Sequence, residues 1–82
     1  MTTARIRPGY RFALRHDVDR FPDFVARQGM TGTVMNVLVD GLIAAKMDEY
    51  IRDAEQWDNE LWWHDGVAAF LDDTVPLTPL RQ

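Results

Sequence analysis

The sequence predicts a small, mainly all-β domain of about five strands, and three observations carry the prediction. "YRFALR" (10–15) alternates apolar and polar residues, "TVMNVLV" (33–39) is a β-branched run ending in Asp40-Gly41, and "ELWWH" (60–64) alternates again. A period of two sends successive side chains to opposite faces, which marks a strand with one dry side.

In the first segment Tyr10, Phe12 and Leu14 share one face, with Arg11, Ala13 and Arg15 on the other. The proline of Phe21-Pro22-Asp23 then stops ladder formation. Gly29 and Gly32 bracket a tight approach to the second strand, which needs positive φ or close backbone contact. Thr33, Val34, Val37 and Val39 supply its β-branched side chains. Asp40-Gly41 is a two-residue hairpin signal. The return strand, 42–48, points Ile43, Ala45 and Met47 to one side. In 60–64, Leu61 and Trp63 share a face opposite Glu60, Trp62 and His64. "VAAFL" (67–71) reads as a short final strand or a single helical turn. Pro76 and Pro79 mark a tail that leaves the core. The expected organisation is an arm at 1–7, one domain at 8–75 and a tail at 76–82.

One segment competes with this reading. Ile43, Met47, Tyr50, Ala54, Trp57 and Leu61 recur at helical spacing, with no glycine or proline from 42 to 63. Gly41 is only a modest helix cap, and the turn signal precedes it directly. The expectation is therefore a strand at 42–48, a loop with one helical turn at 49–57, and a strand at 60–64.

Eighty-two residues make one domain with a thin core, a size that favours binding modules over enzymes. Three Trp, four Phe and two Tyr suffice for a folded globule. The absence of cysteine excludes disulfides and thiolate zinc sites. No apolar run suggests a signal peptide or a membrane span, so a cytoplasmic protein is expected. The net charge of −4 hides an asymmetry: residues 1–27 carry +3 and residues 28–82 carry −7. Such a chain either packs its halves together with charges facing across, or displays an acidic surface to a basic partner.

The segment "GMTGTV" after the first strand, followed by a hairpin and an apolar strand, resembles the SH3-like small barrels. In these, such a glycine pair leads from a long first loop into the second strand. More closely, "HDVDRFPDFVARQGMTGTV" with "KMDEYIRDAEQWDNELWW" resembles small uncharacterised proteins of actinobacterial phages and prophages, over roughly residues 8–65. The resemblance implies an SH3-like barrel with a loop rather than a helix at 49–57. It implies no activity.

"RHDVD" also resembles the first motif of polysaccharide deacetylases, which would make Asp17 a base and Asp19 a metal ligand. That chemistry needs two further histidines one helical turn apart. The chain has only His16 and His64. Asp17, Asp19 and Asp23 alternate as calcium ligands can, but Pro22 and Gln28 stand where such a loop needs glycine and glutamate. The plain reading is a charged loop in which Asp17 or Asp19 accepts backbone N–H bonds and Phe21 and Phe24 anchor it. No catalytic residue, metal site or cofactor is assigned.

"QWDNELWWHDG" concentrates aromatics, and alternation leaves Trp62 outward unless it packs against Phe21 or Pro22. Exposed aromatics mark binding surfaces. The candidate protein-binding residues are Tyr10, Trp57, Trp62, Glu60 and His64, chemically like the aromatic grooves that take Pro-rich segments. Asp48, Glu49, Asp53, Glu55 and Asp58 form the candidate acidic surface. His64-Asp65 has the form of a base and its orienter, yet Asp65-Gly66 reads as a turn. The function expected is a non-catalytic phage or prophage accessory module that docks on a host or phage protein. A phosphate-mimicking inhibitor of a host nucleic-acid defence system comes second. A nucleic-acid-binding barrel using Arg5, Arg7, Arg11 and Arg15 comes third, against the pI near 4.9. No membrane partner is expected; a second copy of the chain is a further possible partner.

Overall fold

The structure, a computed structural model, describes residues 6–20 and 23–77. Among these residues seven strands follow in order: β1 (Arg11–Leu14), β2 (Val18–Arg20), β3 (Phe24–Ala26), β4 (Thr31–Val37), β5 (Ile43–Met47), β6 (Glu60–Trp63) and β7 (Thr74–Pro76). One helix, α1 (Val67–Asp73), joins β6 to β7, and a 3₁₀ turn spans Glu55–Trp57. Five strands make one antiparallel sheet in the order β6-β5-β4-β1-β7, and β2 and β3 form a separate hairpin inserted between β1 and β4. The chain is thus mainly β with about five strands in its main sheet. The sheet does not close: no ladder joins β6 to β7 among the described residues.

The alternation works as physical patterning should. Phe12 and Leu14 are buried, and Arg11 is exposed. Ile43, Ala45 and Met47 face the core with Leu61 and Trp63. Ala44, paired with Trp62, is buried as well. The hairpin adds Val18, Phe24 and Ala26 to the same core. Where barrel closure would occur, α1 inserts Phe70, whose ring lies 4.9 Å from Trp63 and 5.1 Å from Phe12, both edge-to-face. Such pairs add about 0.5–1.5 kcal/mol each beyond area burial.

The two glycines before β4 act differently. Gly29 has φ +89, the left-handed region that costs other residues. A Cβ on Gly32 would meet Met47 Sδ at 2.8 Å, the Lys46 carbonyl at 2.9 Å and Phe12 Cζ at 2.9 Å. Gly32 therefore lets β1, β4 and β5 pack closely. The β4–β5 connection differs in detail from a two-residue turn. Gly41 N–H donates to Leu38 O at 2.8 Å and Leu38 N–H to Leu42 O at 2.9 Å. Val39 and Asp40 occupy the turn's corners and Gly41, at φ +96, takes the strained place.

The helical stripe at 43–61 is not a helix. Asn59 supplies the reason. Its Oδ1 accepts the Ile51 N–H at 2.8 Å, and its Nδ2 donates to the carbonyls of Glu49 at 2.9 Å and Met47 at 3.2 Å. Backbone groups that a helix would pair internally are satisfied by one side chain instead. Asp58 and Asn59, at φ 58 and 60, then reverse the chain into β6.

Two expectations near the C-terminus need correction. Residues 67–73 form a two-turn helix rather than a strand or single turn, because "VAAFLDD" can lay Phe70 inward while Asp72 stays exposed. Pro76 is exposed but still belongs to the sheet: it pairs with Phe12 on an edge strand, where a missing N–H is tolerated. At the other end Ile6, placed in the arm by sequence, packs against the core. Phe21 and Pro22, and with them the expected contact to Trp62, lie outside the described residues, as do Arg5 and Pro79.

The charge asymmetry is offset across the fold in part. Arg11 grips Asp48 through both terminal guanidinium nitrogens, at 2.8 and 3.0 Å, and also donates to Thr33 Oγ1. Arg11 and the Thr31 hydroxyl hold the Asp48 carboxyl below its usual range. Arg15 donates to the carbonyls of Thr74 at 3.0 Å and Leu71 at 3.5 Å, at the carbonyl end of α1. Cationic donors are favoured there, and the acids Asp72 and Asp73 are not. Among the described residues no helix is long and apolar enough to cross a membrane.

Candidate functional site: an aromatic cleft beside the hairpin

β6 has an inner and an outer face. With Leu61 and Trp63 buried, Trp62 and His64 turn outward, and Glu60 is half-buried beside them. The 3₁₀ turn brings Trp57 against Trp62, ring centroids 6.3 Å apart and planes at 69°. His64 stands on the other side of Trp62 at 6.2 Å. The Trp62 indole N–H donates to Glu60 Oε1 at 2.9 Å, which fixes both side chains. Trp57 and Trp62 each remain 38% exposed, a large apolar surface left in water.

The opposite wall is the β2–β3 hairpin, through Arg20, Asp23 and Phe24. Arg20 donates to the Trp62 carbonyl at 3.2 Å, and its guanidinium lies 5.7 Å from the Trp63 ring centroid. That cation–π contact ties the hairpin to the edge of β6. Between the walls lies a cleft of about 130 Å³, open to solvent and lined mostly by carbon.

Four of the five candidate binding residues meet here: Trp57, Glu60, Trp62 and His64. Tyr10 does not. Its ring packs edge-on against Phe70 at 5.9 Å, and burial raises its pKa. Arg20, Asp23 and Phe24 were not singled out as binding residues. The signal for them was the three-residue alternation of Phe24-Val25-Ala26, too short to stand out beside the proline.

In the charged stretch, His16 and Asp17 lead into strand β2 at Val18–Arg20 rather than into an open loop. Asp17 Oδ1 accepts the Gln28 N–H at 2.7 Å, joining the two ends of the hairpin. Asp19 sits exposed on β2, and Asp23 belongs to the cleft. Among the described residues no three His, Asp or Glu side chains are grouped to hold a metal ion. Gly66, at φ 92, closes the turn after Asp65. The acidic set is divided: Asp48 is paired with Arg11, and Asp58 lies 3.4 Å from Lys46. Glu49, Asp53 and Glu55 are exposed and make no ion pair among the described residues.

Comparison of the chain with protein families, curated proteins and solved structures finds no match in any of the three.

Proposed function

We propose that the chain is a non-catalytic docking module that binds a protein partner through the cleft at Trp57 and Trp62. The observation that carries this reading is the pair of tryptophans, each 38% exposed, that meet edge to face opposite a hairpin wall. Aromatic anchors in a desolvating hollow are where binding energy concentrates. The meander β6-β5-β4-β1-β7, with a hairpin inserted after β1, supports an SH3-like ancestry. The setting proposed is a phage or prophage, with a host or phage protein as target. The phosphate-mimic reading has less support, since Asp48 and Asp58 are engaged within the chain. A nucleic-acid face is similarly weakened, because Arg11 and Arg15 are committed to Asp48 and to the end of α1.

Selection of short peptides from a displayed random library against the intact chain tests the reading. Selected peptides should lose affinity by about tenfold or more on Trp57→Ala or Trp62→Ala, hot-spot behaviour in variants whose circular dichroism is unchanged. Peptides that bind these variants undiminished would place the surface elsewhere. Affinity purification from an actinobacterial lysate, with wild type and Trp62→Ala as paired baits, addresses the natural target.

A further inference from the structure

β6 is an end strand of its sheet, and the phase of its ladder tells which of its backbone groups are unpaired. Met47 N–H donates to the Asn59 carbonyl at 3.1 Å, so that carbonyl points toward β5. Across a trans peptide the following N–H points the opposite way, which turns the Glu60 N–H outward. The ladder then alternates. Leu61 and Trp63, opposite Ala45 and Ile43, bond to β5, while Glu60 and Trp62 direct their N–H and carbonyl groups to the open side. Arg20, on a hairpin outside this sheet, reaches the Trp62 carbonyl at 3.2 Å, as that phase requires. Among the described residues no backbone partner meets either group of Glu60 or the N–H of Trp62.

Building on the docking function proposed above, we infer that the partner docks as an extended segment added to β6 as an antiparallel sixth strand of the main sheet. Two of its residues, two apart, exchange backbone bonds with Glu60 and Trp62, and one N–H takes the Trp62 carbonyl from Arg20. Residues paired across strands carry their side chains on the same face. The residue opposite Trp62 therefore lays its side chain beside that indole, in the cleft that Trp57 borders. Free backbone groups and aromatic cleft call for the same occupant, an extended chain with an apolar side chain at that position. A Pro-rich segment lacks the N–H groups that this ladder needs. A second copy suits the edge poorly, because pairing β6 with β6 brings two β2–β3 hairpins into one gap.

The test takes peptides selected from the displayed library and remakes them with one N-methyl group at each position in turn. Methylation removes a backbone donor and leaves the side chain in place. Affinity for the intact chain, read by fluorescence anisotropy, should fall about tenfold or more at two positions two apart, and far less at the position between. Amide hydrogen exchange reads the same ladder from the other side. The Glu60 and Trp62 amides should exchange fast in the free chain and become protected at saturating peptide, while Leu61, already bonded to β5, changes less. Affinity that is uniform along the N-methyl series, with Glu60 and Trp62 unprotected, overturns the added strand; if Trp62→Ala still weakens those peptides, docking at the cleft stands. Peptides that ignore the Trp62 side chain yet protect its amide keep the added strand and remove the cleft as its anchor. Peptides that do neither remove both readings. Protection without peptide that grows with chain concentration makes a second copy the occupant and overturns the partner segment.

Discussion

His16 and Asp73 join the β1–β2 connection to the last turn of α1, with Nε2 of the imidazole 3.1 Å from Asp73 Oδ1. The other ring nitrogen, Nδ1, lies 2.9 Å from the Asp17 carbonyl. An acceptor faces each nitrogen, so both are satisfied only when both carry protons. Asp73 is shared further, since its Oδ2 accepts the Trp63 indole N–H at 2.8 Å. One carboxylate therefore connects the surface imidazole to the aromatic core.

This geometry makes the fold pH-sensitive in a defined direction. The Asp17 carbonyl, aided by the Asp73 charge and opposed by desolvation and Arg15, raises the His16 pKa above 6.5. A folded-state value above the unfolded one stabilises the fold fully below pH 6.5, and the gain is lost as pH rises through the folded value. NMR titration should place the His16 midpoint above 6.5. The Tm advantage of wild type over His16→Gln should narrow as pH rises from about 5 to 8. A midpoint at or below 6.5 contradicts the double-acceptor geometry.

Phe12 touches both Trp63 and Phe70 and is fully buried. Phe12→Ala should cost about 3–5 kcal/mol, most of what a domain this small has to lose. Arg11→Ala, one residue away on the wet face, removes an exposed ion pair and should shift the urea midpoint only slightly. Equal shifts for the two variants would mean that β1 has no dry face.

Asn59→Ala removes three hydrogen bonds and leaves the N–H of buried Ile51 without its acceptor. It also places alanine at φ 60. The expected loss is about 2–4 kcal/mol by denaturant melts, from the unsatisfied donor and the backbone strain together. Hydrogen exchange at Ile51 should rise more than the global change in stability accounts for. Unchanged protection there would remove Asn59 as the clamp.

Gly32→Ala and Gly29→Ala separate close approach from backbone strain. At Gly32 the new methyl meets a backbone carbonyl and two core side chains below 3.0 Å, so overpacking of about 1–3 kcal/mol is expected. At Gly29 nothing lies within 4 Å, and the cost is the left-handed backbone alone, about 1–2 kcal/mol. Relief of the first by Met47→Ala, with none for the second, would separate the two causes in a double-mutant cycle.

What the sequence determined alone was whatever one strand's periodicity can express. Alternation at 10–15 and 60–64 told which side chains are dry, and so placed Trp62 and His64 on the outer face with Glu60. The glycines at 29 and 32 announced a tight approach, since glycine best suits φ +89 and alone fits a gap with no room for a Cβ. Tertiary structure decided the rest. The stripe from Ile43 to Leu61 has helical spacing, but the long-range bonds of Asn59 to the 47–51 backbone outweigh local propensity. Tyr10 was drawn toward the core by Phe70, a partner 60 positions away that no local pattern could announce. The second wall of the cleft depends on a hairpin of two three-residue strands, whose place is set by Arg20 reaching the Trp62 carbonyl 42 residues on. Periodicity along the chain reports which face of an element is apolar; only packing between distant elements decides what that face meets.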